Sequence, residues 1–575
     1  MTQPAISIPV ETPAEPLDDI DVARAELAKG EVEEAVALLH ARASADPIDH
    51  EARYWLASAL IAAGLPDHAA GVLAEARDLH AMAVIRELGA DMQRFGADRA
   101  YCGQLGRQFY GSNLMACAAL TLGRSLDFEN LDANLLLSYG LSLQHQGRIN
   151  EAIDVFSAAA ETFGSPAAHQ FLLYPLFHVP DRGSRLLAES TKWAELYVAP
   201  LMPVKPRFAN ERSTARRLRV GYVGPTFTRN QVAGFMAPVL ESHDPSAVEV
   251  FLYCANPDSE AALPKSCKVR GIGHLSDEQA AAQIRADKID VLIDIWGHNA
   301  GSRLCVFGHR PAPVQIAWIN FLQTTGMSCM DHVLHADCMD VPGTAAAFVE
   351  EVWRIGEIMA PYRPSAERLD PTPTPALRNG YVTFGSFNNP TKLSDATLAA
   401  WGEILKARPN DRLVLKYGYY TDPVLQRVIR AKLAGHGAQP EQVEFRGHNT
   451  GPDYFREFQD IDLALDPSPC PGGTTTCDAM ANGLPVLTLD AGDFYARIGV
   501  SVVLPCGFPE LMAESWDAYV ARALSLTANH RALDGLRARV RPAFEASAYR
   551  DEAGFARNLE AVFRQMFERW LAKGA

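Results

Sequence analysis

The spacing of apolar positions changes about a third of the way along the chain. Up to residue 165 apolar and small residues recur at the three- and four-residue steps of amphipathic helices. From 218 onward they gather into short, almost wholly apolar runs separated by longer amphipathic stretches. Runs at 218–224, 248–253, 290–295, 314–319 and 332–335 predict strands, and a second series lies at 382–385, 413–416, 443–445, 462–465 and 485–489. Strands without polar alternation are those buried on both faces, as in parallel sheets flanked by helices. Between the two series, 360–380 carries Pro361, Pro364, Pro371, Pro373 and Pro375 and has a linker's composition.

The helical third repeats. Gly30 and Gly64 stand 34 residues apart, followed by Ala35 and Leu39 in one case and by Ala69, Leu73 and Ala76 in the other. The clearest copy has Tyr139, Gly140, Leu143, Gly147, Ala152, Phe156 and Ala159, then Pro166. A degenerate copy surrounds Gly111, Ala116 and Leu120, with the spacing stretched to 36 before Gly147. Small residues at fixed places let paired helices approach, and this period looks like a tetratricopeptide array. The expected architecture is a tail at 1–19, the array at 20–165, a helical linker at 166–215, and two Rossmann-like α/β domains at 216–370 and 371–575. Stacked helix pairs form a concave surface suited to a segment of another protein, so the array is expected to hold a protein partner.

The candidate chemistry centres on 465–488, Leu-Asp-Pro-Ser-Pro-Cys-Pro-Gly-Gly-Thr-Thr-Thr-Cys-Asp-Ala-Met-Ala-Asn-Gly-Leu-Pro-Val-Leu-Thr. It reads as strand, glycine-containing loop and helix, with Thr474 as the expected N-cap. Free N–H groups of a first helical turn, with the hydroxyls of Thr474, Thr475 and Thr476, suit an anion such as phosphate. Asp478, one turn further in, suits ribose hydroxyls.

Charge and cysteine content narrow the function classes. A net charge of -16 argues against nucleic-acid binding. The ten cysteines form no CxxC pair, as expected of reduced thiols in the cytoplasm. Residues 1–19 lack the basic and apolar regions of a signal peptide, and no apolar run approaches the length of a membrane span. A cytoplasmic protein without membrane contact is expected.

From about 218 to the C-terminus the chain resembles the O-linked N-acetylglucosamine transferases and their bacterial relatives. The resemblance rests on Arg-Val-Gly-Tyr-Val at 219–223, Arg-Pro-Ala-Pro-Val-Gln at 310–315, Met330-Asp331, Phe387-Asn388 with Lys392, and 466–483, in that order. It implies a GT-B fold, a nucleotide-sugar donor as substrate with no cofactor and no metal, and inverting transfer to Ser or Thr of a protein. It assigns Lys392 to the charge developing on the leaving phosphate, Thr474 and Thr475 to the phosphates, and Asp478 to the ribose; Asn389 and Tyr454 also occupy donor-site positions. Members with uridine donors carry His, His, Gln, Lys and Arg where this chain has Tyr454, Gly473, Asn389, Gly451 and Glu457, and His where it has Asn230. Tyr454 retains a face for a pyrimidine, while Glu457 adds an acid near the phosphates. Asn cannot serve as a general base, which leaves Asp294 and His298, in Asp-Ile-Trp-Gly-His-Asn, as candidates. Fewer phosphate partners suit a single phosphate. The expectation is therefore a bacterial protein O-glycosyltransferase, with flagellin as an acceptor and a CMP-activated nonulosonic acid as donor. Alternatives are a UDP-N-acetylglucosamine or UDP-hexose donor, a decayed transferase serving as a repeat scaffold, and a relative that glucosylates Asn.

Overall fold

The computed structural model describes residues 19–29, 31–45, 99–127, 131–179, 182–228, 232–260 and 263–574, with isolated positions from 49 to 72. Residues 1–18 of the expected tail, Gly30, Gly64, Ala69, Leu73, Ala76 and Asn230 lie outside the described residues, while Asp19 already begins the first helix. The chain divides into two compact units at 97/98. In the first, helices Asp19–Lys29 and Val32–Ala45 bury Ala23, Ala35, Leu39, Ala52 and Leu56 in a small core of their own.

The second unit opens with helices Arg99–Gly111, Met115–Ser125, Ala133–Gln144 and Ile149–Phe163, packed as consecutive antiparallel neighbours. Asp132 caps the third by accepting from the Leu135 N–H at 2.7 Å, and Gly164, at φ 54°, ends the fourth in the left-handed region. The repeat is geometric. A Cβ on Gly106 would lie 2.6 Å from Leu122, and one on Gly140 would lie 2.5 Å from Phe156. Both members of the second pair follow the first by 34 residues, so helix contacts keep the period. The 36-residue step from Gly111 to Gly147 compares a helix end with an inter-helix loop and is not the register of packing.

A parallel seven-stranded sheet follows, in the order β3-β2-β1-β4-β5-β6-β7. Its strands are β1 Leu218–Val223, β2 Val248–Cys254, β3 Lys268–Gly271, β4 Val291–Asp294, β5 Val314–Ala317, β6 His332–His335 and β7 Glu351–Arg354. Val220 pairs with Val250 on one side and Val291 on the other. The second sheet runs β10-β9-β8-β11-β12-β13, with β8 Thr383–Ser386, β9 Arg412–Lys416, β10 Val443–Arg446, β11 Leu463–Leu465, β12 Val486–Leu489 and β13 Met512–Ala513. Two such parallel sheets behind a helical region make the expected GT-B fold. β3, β7 and β13 were not legible as apolar runs because they are short edge strands, and Lys268, Glu351 and Arg354 on two of them face water.

The proline-rich stretch is packed chain, not a free linker. Thr374 donates to the buried Asp462 at 2.5 Å, and Arg537, itself buried, donates to the Thr372 carbonyl at 2.9 Å. Helix Glu552–Ala572 returns to the first sheet domain, where Glu560 accepts from His243 and from the Asp244 N–H. Among the described residues no helix is long and apolar enough to cross a membrane, and no disulfide is formed.

Candidate active site

Each sheet reverses its winding direction once, between β1 and β4 and between β8 and β11. Loops at such points diverge and leave a crevice beyond the strand ends. A cleft of about 520 Å³ opens there between the two sheet domains, lined among others by Trp296, Asn299, Asn389, Lys392, Thr474 and Thr475. A second cavity of about 280 Å³ adjoins it, sharing Tyr174, Asn299, Ala300 and Asn389, with Gln144 and His145 of the array on its other side.

The loop after β11 is held from below. Asp466 is buried and accepts from the Gly472 N–H at 2.7 Å and from the Thr488 hydroxyl at 3.1 Å. Burial pushes its carboxyl up to about 7, against the pull of the Gly472 N–H and the Lys392 charge. A Cβ on Gly472 would stand 2.5 Å from Thr475 Oγ1 and 2.6 Å from Thr476 Oγ1, so any side chain there would displace those hydroxyls. The helix is Thr474–Ala481, and its N-cap is Gly473, not Thr474. A glycine cap offers no side chain to the first turn, so those N–H groups and the Thr474 and Thr475 hydroxyls face the cleft. Thr475 also donates to Asn388 Oδ1 at 3.2 Å.

Lys392 ends the 3-10 turn Pro390–Lys392 that follows β8. Its ammonium donates to the Pro471 carbonyl at 2.8 Å, which places a cation on the glycine loop beside the open helix end. Asn389 caps the same turn, accepting from the Thr391 N–H at 3.0 Å.

Other expected residues stand elsewhere. The Asp478 carboxylate is buried and accepts from Tyr362 OH at 2.6 Å and Tyr454 OH at 3.2 Å; burial pushes it up to about 6 against those two phenols. Neither Asp478 nor Tyr454 lines the cleft, whose aromatic wall on this side is Phe387, 6.2 Å from the Tyr454 ring. Glu457 is no free acid near the phosphates. It pairs with Lys416 at 3.0 Å and with Arg446 at 3.6 Å and accepts from Asn449. Gly451 is likewise absent from the cleft lining, whereas Gly473 is part of it.

Neither candidate base is placed as one. Asp294 turns back on its own loop, accepting from the Gly297 N–H at 2.6 Å; burial pushes it up to about 7. His298 lines the second cavity, with Nε2 2.9 Å from the Thr325 carbonyl, Nδ1 3.4 Å from the Gln170 amide and its ring edge-on to Trp193. Burial lowers its pKa to about 4, which suits a hydrogen-bond partner rather than a general base. His178, in the helical joint, lines neither cavity. Among the described residues neither of its buried ring nitrogens has a partner, and burial, aided by the Lys392 and Arg182 charges, holds it near 3. No spacing or motif signals such a residue; only its surroundings do.

The model for glycosyl transferase family 41 matches residues 148–353 and 373–559, so the gap falls on the segment between the sheets. The chain belongs to glycosyl transferase family 41. Within the family it is 33% identical over 396 residues to the "Probable UDP-N-acetylglucosamine--peptide N-acetylglucosaminyltransferase SPINDLY" of Oryza sativa subsp. japonica, covering 67% of this chain and 42% of that protein. It is 26% identical over 371 residues to the "Probable UDP-N-acetylglucosamine--peptide N-acetylglucosaminyltransferase SEC" of Arabidopsis thaliana, covering 62% and 37%. The chain thus spans about two fifths of the length of these curated relatives. A solved structure of a mutant Thermobaculum terrenum O-GlcNAc transferase superposes with a TM-score of 0.75 at 26% identity, covering 97% of this chain and 98% of that one.

Proposed function

We propose that this family 41 chain is a protein O-glycosyltransferase that moves a sugar from a nucleoside-diphosphate donor to a Ser or Thr hydroxyl, with inversion at the sugar and without a metal. The observation that carries the proposal is Lys392 seated on the Pro471 carbonyl beside an N-terminus capped only by glycine, inside the inter-sheet cleft. The donor phosphates would lie over the first turn of helix Thr474–Ala481. Lys392 would exchange its carbonyl partner for the departing phosphate, a stronger acceptor as negative charge builds. The acceptor hydroxyl would arrive through the second cavity, between the array and the loop after β4. Of the two expected bases, His298 lines that cavity, held by the Thr325 carbonyl and the Gln170 amide.

Two points favour a diphosphate over the CMP-activated nonulosonic acid expected from the altered positions. The acid thought to repel phosphate, Glu457, is neutralised by Lys416 and Arg446. The names of the similar plant proteins specify a UDP-sugar. Flagellin enters as one acceptor to test, since nothing in the cleft selects it.

Calorimetry with UDP, GDP and CMP, followed by intact-mass measurement of acceptor proteins from cells with and without this chain, tests the reading. Binding of a diphosphate and a hexose or N-acetylhexosamine mass increment are expected. Tighter binding of CMP with a nonulosonic increment would restore the other donor. No nucleotide binding at all would make the chain a repeat scaffold.

A further inference from the structure

The array reaches the donor site itself. His145 follows helix Ala133–Gln144, lies 4.4 Å centroid to centroid from Tyr419, and has Nδ1 3.3 Å from Thr391 Oγ1. The same hydroxyl is 2.8 Å from Asn389 Oδ1. A carboxamide oxygen only accepts, so the Thr391 hydrogen goes to Asn389, and the His145 contact is Nδ1–H donating to Thr391. Burial lowers the His145 pKa to about 4, consistent with a neutral ring in this tautomer. Asn389 Oδ1, oriented by that hydroxyl, also accepts the Thr391 N–H and so caps the turn that ends in Lys392. The array loop lies on the same turn: at Gly147, with φ +76°, a Cβ would be 3.6 Å from the Pro390 carbonyl oxygen.

A second tie fixes the array against this domain. Helix Met115–Ser125 has no cap from its own N-cap residue, Leu114. Instead the buried Asp422 accepts its Ala116 N–H at 2.7 Å while capping its own helix, Pro423–Gly435, through the Val424 and Leu425 N–H groups. With that anchor in place, a hydrogen bond from His145 holds Thr391 at a set position.

We propose that His145 is a positioning residue for Lys392: through Thr391 and Asn389 it orders the turn that presents the lysine, so the last full repeat of the array completes the donor site. This rests on the reading of Lys392 as the group that meets the leaving phosphate. The array then does more than recruit the acceptor.

The test uses the full chain with His145→Leu, His145→Asn, Thr391→Val and the double variant His145→Leu/Thr391→Val. Losing the partly buried His145–Thr391 hydrogen bond should lower kcat about tenfold in His145→Leu, and at least as much in Thr391→Val, which also loses the bond to Asn389, with acceptor KM nearly unchanged. The double variant should be no slower than Thr391→Val, which already removes the His145 bond together with the Thr391 bond to Asn389. His145→Asn, which keeps a donor near the Nδ1 position, should recover most of the loss. A rise in acceptor KM at constant kcat would make His145 a mere acceptor contact and overturn the proposal, as would multiplicative losses in the double variant. Amide hydrogen exchange over 389–393 needs no substrate. Faster exchange in His145→Leu and Thr391→Val but not in His145→Asn upholds the clamp even if the chain transfers no sugar, and unchanged exchange overturns it.

Discussion

Changing Lys392 to Ala separates ground-state from transition-state roles. At rest the half-buried ammonium makes, among the described residues, one hydrogen bond, to the Pro471 carbonyl at 2.8 Å, so its removal costs about 1–2 kcal/mol of loop order. During transfer the leaving phosphate gains much of a unit charge. A cation about 4 Å away at an effective dielectric near 20 stabilises a full charge by about 4 kcal/mol, and the partial charge of the transition state by about 3 kcal/mol. That corresponds to a hundredfold or greater loss of rate. Single-turnover transfer to a purified acceptor measures the step, and calorimetry with the free nucleotide measures the ground state. The expected result is a rate loss above a hundredfold with nucleotide affinity reduced less than about tenfold. A folded variant that turns over almost normally would refute the reasoning. Equal losses in affinity and rate would reduce Lys392 to a binding residue.

Three further outcomes follow from the same geometry. Burial pushes Asp294 and Asp466 up to about 7, so each binds a proton in the folded state that the unfolded chain releases; this stabilisation is full at low pH and disappears as pH rises through 7. The buried neutral His145, His178, His298 and His335, held near 3 to 4 by burial, act in the opposite sense until the unfolded imidazoles are fully deprotonated, about a pH unit above 6.5. Between pH 6.5 and 8 each buried aspartate should therefore cost about 0.8 kcal/mol while each of the four histidines returns about 0.4 kcal/mol, so the Tm of the ligand-free chain stays nearly flat and Asp466→Asn makes it rise; a Tm slope that Asp466→Asn leaves unchanged would contradict it. Gly140→Val should destabilise by about 2–3 kcal/mol in denaturant titrations, since even its Cβ would lie 2.5 Å from Phe156, whereas Gly111→Ala, with open space around it, should be neutral or slightly stabilising. Gly472→Ala, with its new carbon 2.5 Å from Thr475 Oγ1, should weaken nucleotide binding by about tenfold or more in calorimetry while leaving the overall fold intact.

Local patterns in the sequence carried the helical period, most of the parallel strands and the strand-loop-helix of 465–488. Each of these is written within a few consecutive residues: apolar runs such as 218–223, small residues one period apart, and glycines where a loop must tighten over a helix end. Edge strands escaped because water on one side permits Lys268 or Glu351 where a central strand needs Val or Ile. What tertiary structure decided was the partner of each charge and polar group. Glu457 read as an exposed acid until the fold set Lys416 and Arg446 beside it. Asp478 met Tyr362 across 116 residues of chain, and Ala116 of the array found its cap in Asp422, 306 residues on. His178 carries no motif, and its low pKa arises only because the folded joint buries it near the Lys392 and Arg182 charges. Secondary structure follows from periodicity along the backbone, which a linear reading can recover. Electrostatic environment depends on distances between residues far apart in the chain, and those distances exist only after folding.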